Sequence, residues 1–140
     1  MKNRSDLFGR VLEALAAADP EHKIELTCVL RADWLPGRLR QALAAAGPEP
    51  NAAPGRPPRP QLVAPRELVQ RRLTTLQGRA AMIHAIAHIE FNAINLALDA
   101  VYRFRGLPAW YYGDWLRVAE EEGRHFRMLR DRLRALGYDY

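Results

Sequence analysis

Residues 80–104 read AAMIHAIAHIEFNAINLALDAVYRF, and the reading of this run decides the fold. It contains neither proline nor glycine, and its apolar residues recur at helical spacing, so it is expected to be one long helix. At about 100° per residue, a face centred on Glu90 carries Ile83, Val101 and Ala97 within about 20°, with Ile86 and Ile94 at about 40°. A lone carboxylate in the middle of such a stripe faces a protein interior. Burying it ionised and unpartnered is very costly, so it has to be neutralised, paired or bound to a metal.

The run ends at Gly106-Leu107-Pro108, a glycine stop followed by proline. So short a connection makes the next helix an antiparallel neighbour. That helix, expected over roughly Ala109 to Leu136, repeats the anomaly. Around Glu122 lie Trp115, Leu133 and Leu129 within about 20°, and Val118 and Phe126 at about 40°. Glu120 and Glu121 point elsewhere. His125 follows Glu122 one helical turn later, so both side chains can reach one point. Glu122-Gly123-Arg124-His125 is thus a Glu-x-x-His motif.

The two glutamates also agree in height. Glu90 precedes Gly106 by sixteen residues and Glu122 follows it by sixteen. At a rise of about 1.5 Å per residue, each lies about 24 Å from the turn. Glu90, Glu122 and His125 therefore form one candidate site of carboxylate oxygens and an imidazole nitrogen, a ligand set suited to iron or manganese. The bland alternatives are a chance motif and a structural salt-bridge network with arginines from elsewhere.

A glutamate on one helix and Glu-x-x-His on its antiparallel neighbour resemble half of a ferritin-like di-iron carboxylate bundle. More narrowly, HAIAHIEFNAINLALDAVYRFRGLPAWYYGDWLRVAEEEGRHFRMLRDRLRALGYDY resembles the DUF455 family of bacterial ferritin-like proteins, as does the approach PGRPPRPQLVAPRELVQRRL. The resemblance is specific from about residue 55 onward. It implies an all-α, ferritin-like helical hairpin, half of a four-helix bundle, and a di-iron oxidoreductase or iron-handling role in the complete form. Two iron ions, or iron with manganese, would need a second helix pair or a second chain, and members of the family continue with such a pair. This chain stops at Tyr140, so it is expected to be either a truncated member or one half of a homodimer that completes the bundle.

Before the hairpin the chain is divided at residue 46 and again at 65. Residues 1–46 read as an N-terminal helical arm: Ser5-Asp6 starts a helix, Asp19-Pro20 ends it, 21–35 fit strand or helix, and Gly37–Ala46 fit a short helix. Residues 47–65 hold seven prolines and form a linker or strap. Residues 66–140 make the hairpin domain. A short helix from Pro65 to Leu73 and an N-cap at Thr74-Thr75 are expected to lead into it, with Gly78 as the weak point of the long helix.

Other residues have plainer readings. His84 and His88 lie about 120° and 160° from Glu90, where structural hydrogen bonds or support of the metal ligands suit them better than zinc. Asn92 and Asn95 are expected to satisfy helix neighbours. Trp110, Tyr111, Tyr112 and Trp115 are expected to plug the core.

The 140 residues suit one domain. The net charge is +5, and of 21 basic residues only Lys2 and Lys23 are lysine. The arginines are spread along the chain rather than clustered, which disfavours nucleic acid as a partner. The single cysteine, Cys28, excludes an intrachain disulfide and fits a reducing cytoplasm. The N-terminus does not read as a signal peptide. The polar residues of the long helix argue against a simple membrane span. The rival to a metalloprotein is a non-catalytic structural or interaction module, or an inactive fragment.

Overall fold

A computed structural model describes residues 6–41, 48, 52–63 and 71–140. Four helices, α1 (Leu7–Ala16), α2 (Pro20–Trp34), α3 (Leu76–Arg103) and α4 (Ala109–Ala135), make an all-α fold with no strand among the described residues. The hairpin of α3 and α4 is its long axis. Thr75 caps α3 by accepting from the Gly78 N–H at 3.0 Å, as its sequence position suggested. Gly106, at φ 71°, makes the turn that only glycine adopts freely.

The seam between α3 and α4 is filled by Ala87, Ile94, Ala97, Val101, Ala119, Phe126 and Leu133, all buried. Its turn end is closed by Tyr112. This ring is fully buried, its hydroxyl donates to the Phe104 carbonyl at 2.8 Å, and it accepts from the Leu107 N–H at 3.2 Å. The expected aromatic plug is therefore Tyr112 with part of Tyr111. Trp110 and Trp115 are exposed instead, Trp110 at 67%; Trp110 lies about 120° from Glu122 round the helix, turned away from the seam.

The N-terminal arm covers one side of this hairpin, with α1 against α3, α2 against α4 and the two arm helices against each other. The segment that fits strand or helix is helical, and Asp19-Pro20 opens it. Asp19 accepts from the His22 N–H at 2.9 Å, and proline occupies the first turn, where a missing N–H costs nothing. Between α2 and α4, Glu21 takes Arg127 and also Arg130, the latter at 2.7 Å, and Arg31 donates to the Gly113 carbonyl at 2.9 Å. Gly123, inside the Glu-x-x-His motif, is where Ile24 comes closest; a Cβ there would stand 3.3 Å from its side chain.

Two expected short helices fare differently. The described part of 37–46 is not helical: Gly37 turns at φ 71°, Leu39 is buried, and the Arg40 carbonyl accepts from the Leu7 N–H at 3.0 Å. Anchoring Leu39 in the core draws the chain out straight, and residues 42–47 lie outside the described residues. The helix expected from Pro65 falls mostly on 64–70, also outside them, and Arg71–Leu73 are not helical. The described part of the proline-rich segment has no helix or strand. It crosses the end of α1, where the Gly55 N–H donates to the Leu15 carbonyl at 2.7 Å. A Cβ on Gly55 would sit 2.2 Å from the Ala16 carbonyl oxygen, so the close approach requires glycine.

By length and composition alone, α3 would suffice to cross a membrane. Within the fold, its buried arc runs from Ile94 and Ala87 round to Phe91, Leu98 and Tyr102.

Lys23 supplies an unexpected anchor. Fully buried, it donates from Nζ to the Ala14 and Leu15 carbonyls at 3.0 and 2.6 Å, filling acceptors that the end of α1 leaves open. Burial holds its pKa down to about 7 from the ordinary 10.5. Between those values the native state binds fewer protons than the unfolded chain, so stability should rise with pH across that window. Chemical denaturation from pH 7 to 10 should show this rise, and Lys23→Met should abolish it. An equal rise in the variant would place its source elsewhere.

Candidate metal centre

Glu90 and Glu122 stand at one height on the facing sides of α3 and α4, as the sixteen-residue symmetry about Gly106 requires. One ligand atom from each of Glu90, Glu122 and His125 falls within 4.8 Å of the others, and the group could hold a metal ion. His125 Nδ1 is 3.2 Å from Glu122 Oε2 and 3.7 Å from Glu90 Oε2. Among the described residues no arginine or lysine pairs with either carboxylate.

Burial differs from expectation in one respect. The Glu90 and Glu122 side chains keep 22% and 23% of their surface and His125 keeps 47%, so the cluster sits at the mouth of the seam. The buried arc of each helix is rotated away from its glutamate, toward the arm. The opposite side, where His125 projects, carries exposed Met82, Ile89 and Leu96 on α3 and exposed Met128 on α4. The apolar residues of α3 thus serve two faces, one toward the arm and one open.

The electrostatics follow from two like charges in contact. The Glu90 carboxyl is pushed above the ordinary carboxylate range, first by its hydrogen bond with Glu122, then by burial and by repulsion from Glu122, with His125 pulling the other way. Two adjacent carboxylates with an imidazole beside them are a group into which a cation fits.

His84 and His88 lie apart from the cluster. His84 stacks on Tyr140 with ring centroids 5.0 Å apart, and His88 Nδ1 lies 2.9 Å from the Tyr140 hydroxyl. His88 Nε2 faces Asn92 Nδ2 at 3.1 Å. Both are held below the ordinary histidine range chiefly by burial. Their partners are Tyr140 and Asn92, so these contacts are structural. Tyr140 also meets the Phe126 ring edge-on at 4.9 Å. Periodicity carries no signal of this anchoring, since a terminal tyrosine has no periodic neighbours. Asn92 satisfies a helix neighbour as expected. Asn95 does not: it is buried, and neither side-chain polar atom has a partner among the described residues. Tyr111 and Tyr112 turn their hydroxyls to the Ala100 and Phe104 carbonyls, so neither hydroxyl is free for the cluster.

Comparison with known proteins gives the family of the chain. Residues 16–140 match the family described as protein of unknown function (DUF455), and the chain belongs to that family. It is also similar to an uncharacterized protein of Haemophilus influenzae, 42% identical over 147 residues. That alignment covers 97% of this chain and 50% of the relative, so the chain spans about half the length of the curated relative it matches. No solved structure matches.

Replacing one carboxylate by its neutral isostere removes the repulsion and keeps the shape. Glu90→Gln should stabilise the metal-free protein by about 1 kcal/mol, seen as a rise of about 3 °C in the melting midpoint under chelator. A lower midpoint would show that Glu90 makes a stabilising ion pair in the metal-free state.

Proposed function

We propose that this protein binds hard transition-metal ions through Glu90, Glu122 and His125, and that in its complete form it is a ferritin-like di-iron, or iron–manganese, carboxylate protein acting in oxidation or iron handling. The observation that carries the reading is the convergence of one candidate ligand atom from each of the three within 4.8 Å, on two helices, with no arginine or lysine paired with the carboxylates among the described residues. Oxygen donors with one imidazole suit iron and manganese and omit the thiolates that favour softer ions. Iron held there would supply one-electron redox chemistry. The protein's own part is to fix the ligands: Gly123 brings α2 up behind Glu122, and the paired helices hold both carboxylates level.

Three ligands are half of a two-metal set, so the complete centre needs either a second helix pair or a second chain. The match to half of a longer relative supports the first source. Cytoplasmic residence is part of this reading, supported by Cys28, which is in no disulfide. A nucleic-acid role is disfavoured because Arg10, Arg31, Arg103, Arg127, Arg130 and Arg134 are occupied with internal partners. The open apolar face supports one rival reading, a helical interaction module in which the cluster only sets register.

Metal analysis after anaerobic incubation with ferrous or manganous ions separates the two. The metalloprotein reading expects about one ion per chain, with affinity reduced at least tenfold in Glu122→Ala and in His125→Ala. A folded protein that retains no metal above trace, or variants that bind as well as the parent, would contradict it.

A further inference from the structure

The end of the hairpin away from Gly106, where α3 begins and α4 finishes, holds a cavity of about 320 Å³ in which none of the three metal ligands takes part. Its lining brings together Arg71, Gln77, Ala80, His84, Leu133 and Tyr138. We propose that this cavity binds a small organic monocarboxylate: Arg71 takes the carboxylate, Gln77 and His84 complete its hydrogen bonding, and the apolar body lies on Ala80 and Leu133. The site is separate from the metal cluster, since Ala80 precedes Glu90 by ten residues, about 15 Å of helix.

The polar groups of the lining are uncommitted. Among the described residues Arg71 has no ion pair, and neither the Gln77 amide nor the His84 ring has a hydrogen bond. The His84 ring is nonetheless fixed by its stack on Tyr140, with centroids 5.0 Å apart. Burial keeps it below the ordinary histidine range, so at neutral pH it offers one N–H and one lone pair. The floor has the opposite character: Ala80 and Leu133 are 2% and 1% exposed, and the small side chain of Ala80 leaves the volume open. An apolar hollow with a few convergent polar groups is the usual form of a small-molecule site.

Both rims are pinned by hydrogen bonds rather than by apolar packing. A Cβ on Gly78 would stand 1.6 Å from the Arg72 carbonyl oxygen, so the glycine that weakens α3 is required where the turn carrying Arg71 meets the helix. Thr75 donates to the same carbonyl at 3.4 Å, and Arg79 donates to the Leu73 and Thr74 carbonyls at 3.3 Å. Leu73 and Leu76 stay 52% and 46% exposed, so burial of side chains is not what draws this turn in. On the other rim, the Tyr138 N–H donates to the Leu133 carbonyl at 2.9 Å. Beside it Asp139 Oδ1 accepts from Arg134 at 3.1 Å and from the Tyr140 N–H at 2.8 Å. A cavity held in shape beforehand loses little freedom when a ligand enters.

Charge selects the class of ligand. A guanidinium grips a carboxylate with two parallel hydrogen bonds. Asp139 lines the same cavity, and its negative charge opposes a dianion such as phosphate. With Asp139 engaged by Arg134, Arg71 leaves one positive charge over. One carboxylate balances it.

The test is a nuclear magnetic resonance titration of the isotope-labelled 140-residue chain, in chelator so that the metal cluster takes no part. Phenylacetate is the probe, with phenylacetamide, acetate and inorganic phosphate as its controls. Phenylacetate should shift the Gln77 side-chain amide and the His84 ring resonances saturably. Phenylacetamide lacks the charge, acetate lacks the apolar body and phosphate is a dianion, so each should bind at least tenfold more weakly. Arg71→Gln alters an exposed residue, so it should keep the parent's spectrum elsewhere and lose at least tenfold in phenylacetate affinity. Absence of saturable shifts at Gln77 and His84, a control that binds as well as phenylacetate, or full affinity in Arg71→Gln would each overturn the proposal.

Discussion

Two carboxylates at one height in a helical seam repel each other unless a proton or a cation lies between them. Glu90 and Glu122 are in that position because α3 and α4 are joined by a turn equidistant from both. Everything distinctive in the molecule is arranged around this pair. His125 reaches it from one turn further along α4. The long helices are centred on it, and the turn that levels it is closed by Tyr112 and Gly106.

The N-terminal arm settles which way the hairpin faces. Packing of α1 on α3 and of α2 on α4 takes up one side, fastened by the Glu21 contacts to Arg127 and Arg130 and by Lys23 under the end of α1. These attachments leave the cluster at the mouth of the seam. A carboxylate pair sealed on all sides would have to be protonated or paired inside; one at a mouth can accept an ion. Site and fold are thus linked, since the arm that stabilises the hairpin also determines that its acidic edge looks outward.

The hairpin, its turn, the cap at Thr75 and the convergence of Glu90, Glu122 and His125 were legible in the sequence, because helical periodicity and a glycine-proline stop constrain geometry directly. The orientation was legible only in part. A stripe centred on Glu90 predicts which residues are apolar, but it cannot tell a face covered by α1 and α2 from one left open, since both are apolar. That is why Glu90 is at an edge rather than at the centre of its buried arc. The segment from residue 21 could be read as strand or helix because IELTCVL is short and rich in β-branched residues; Asp19 and Pro20, taken as a stop, are the start signal that resolves it. Gly37–Gln41 looked helical from composition, but a tertiary anchor at Leu39 overrides local preference. Lys23 and Tyr140 were beyond reach, because their partners are backbone carbonyls and rings far along the chain.

The account stands on Glu90, Glu122 and His125 acting as one ligand set. Pulsed electron paramagnetic resonance of the manganese-loaded protein tests this most directly. It should show a single class of directly bound imidazole nitrogen in an oxygen-dominated centre, lost in His125→Gln and kept in His84→Gln and His88→Gln. Bound manganese with no nitrogen coupling, or coupling that survives His125→Gln, would contradict it.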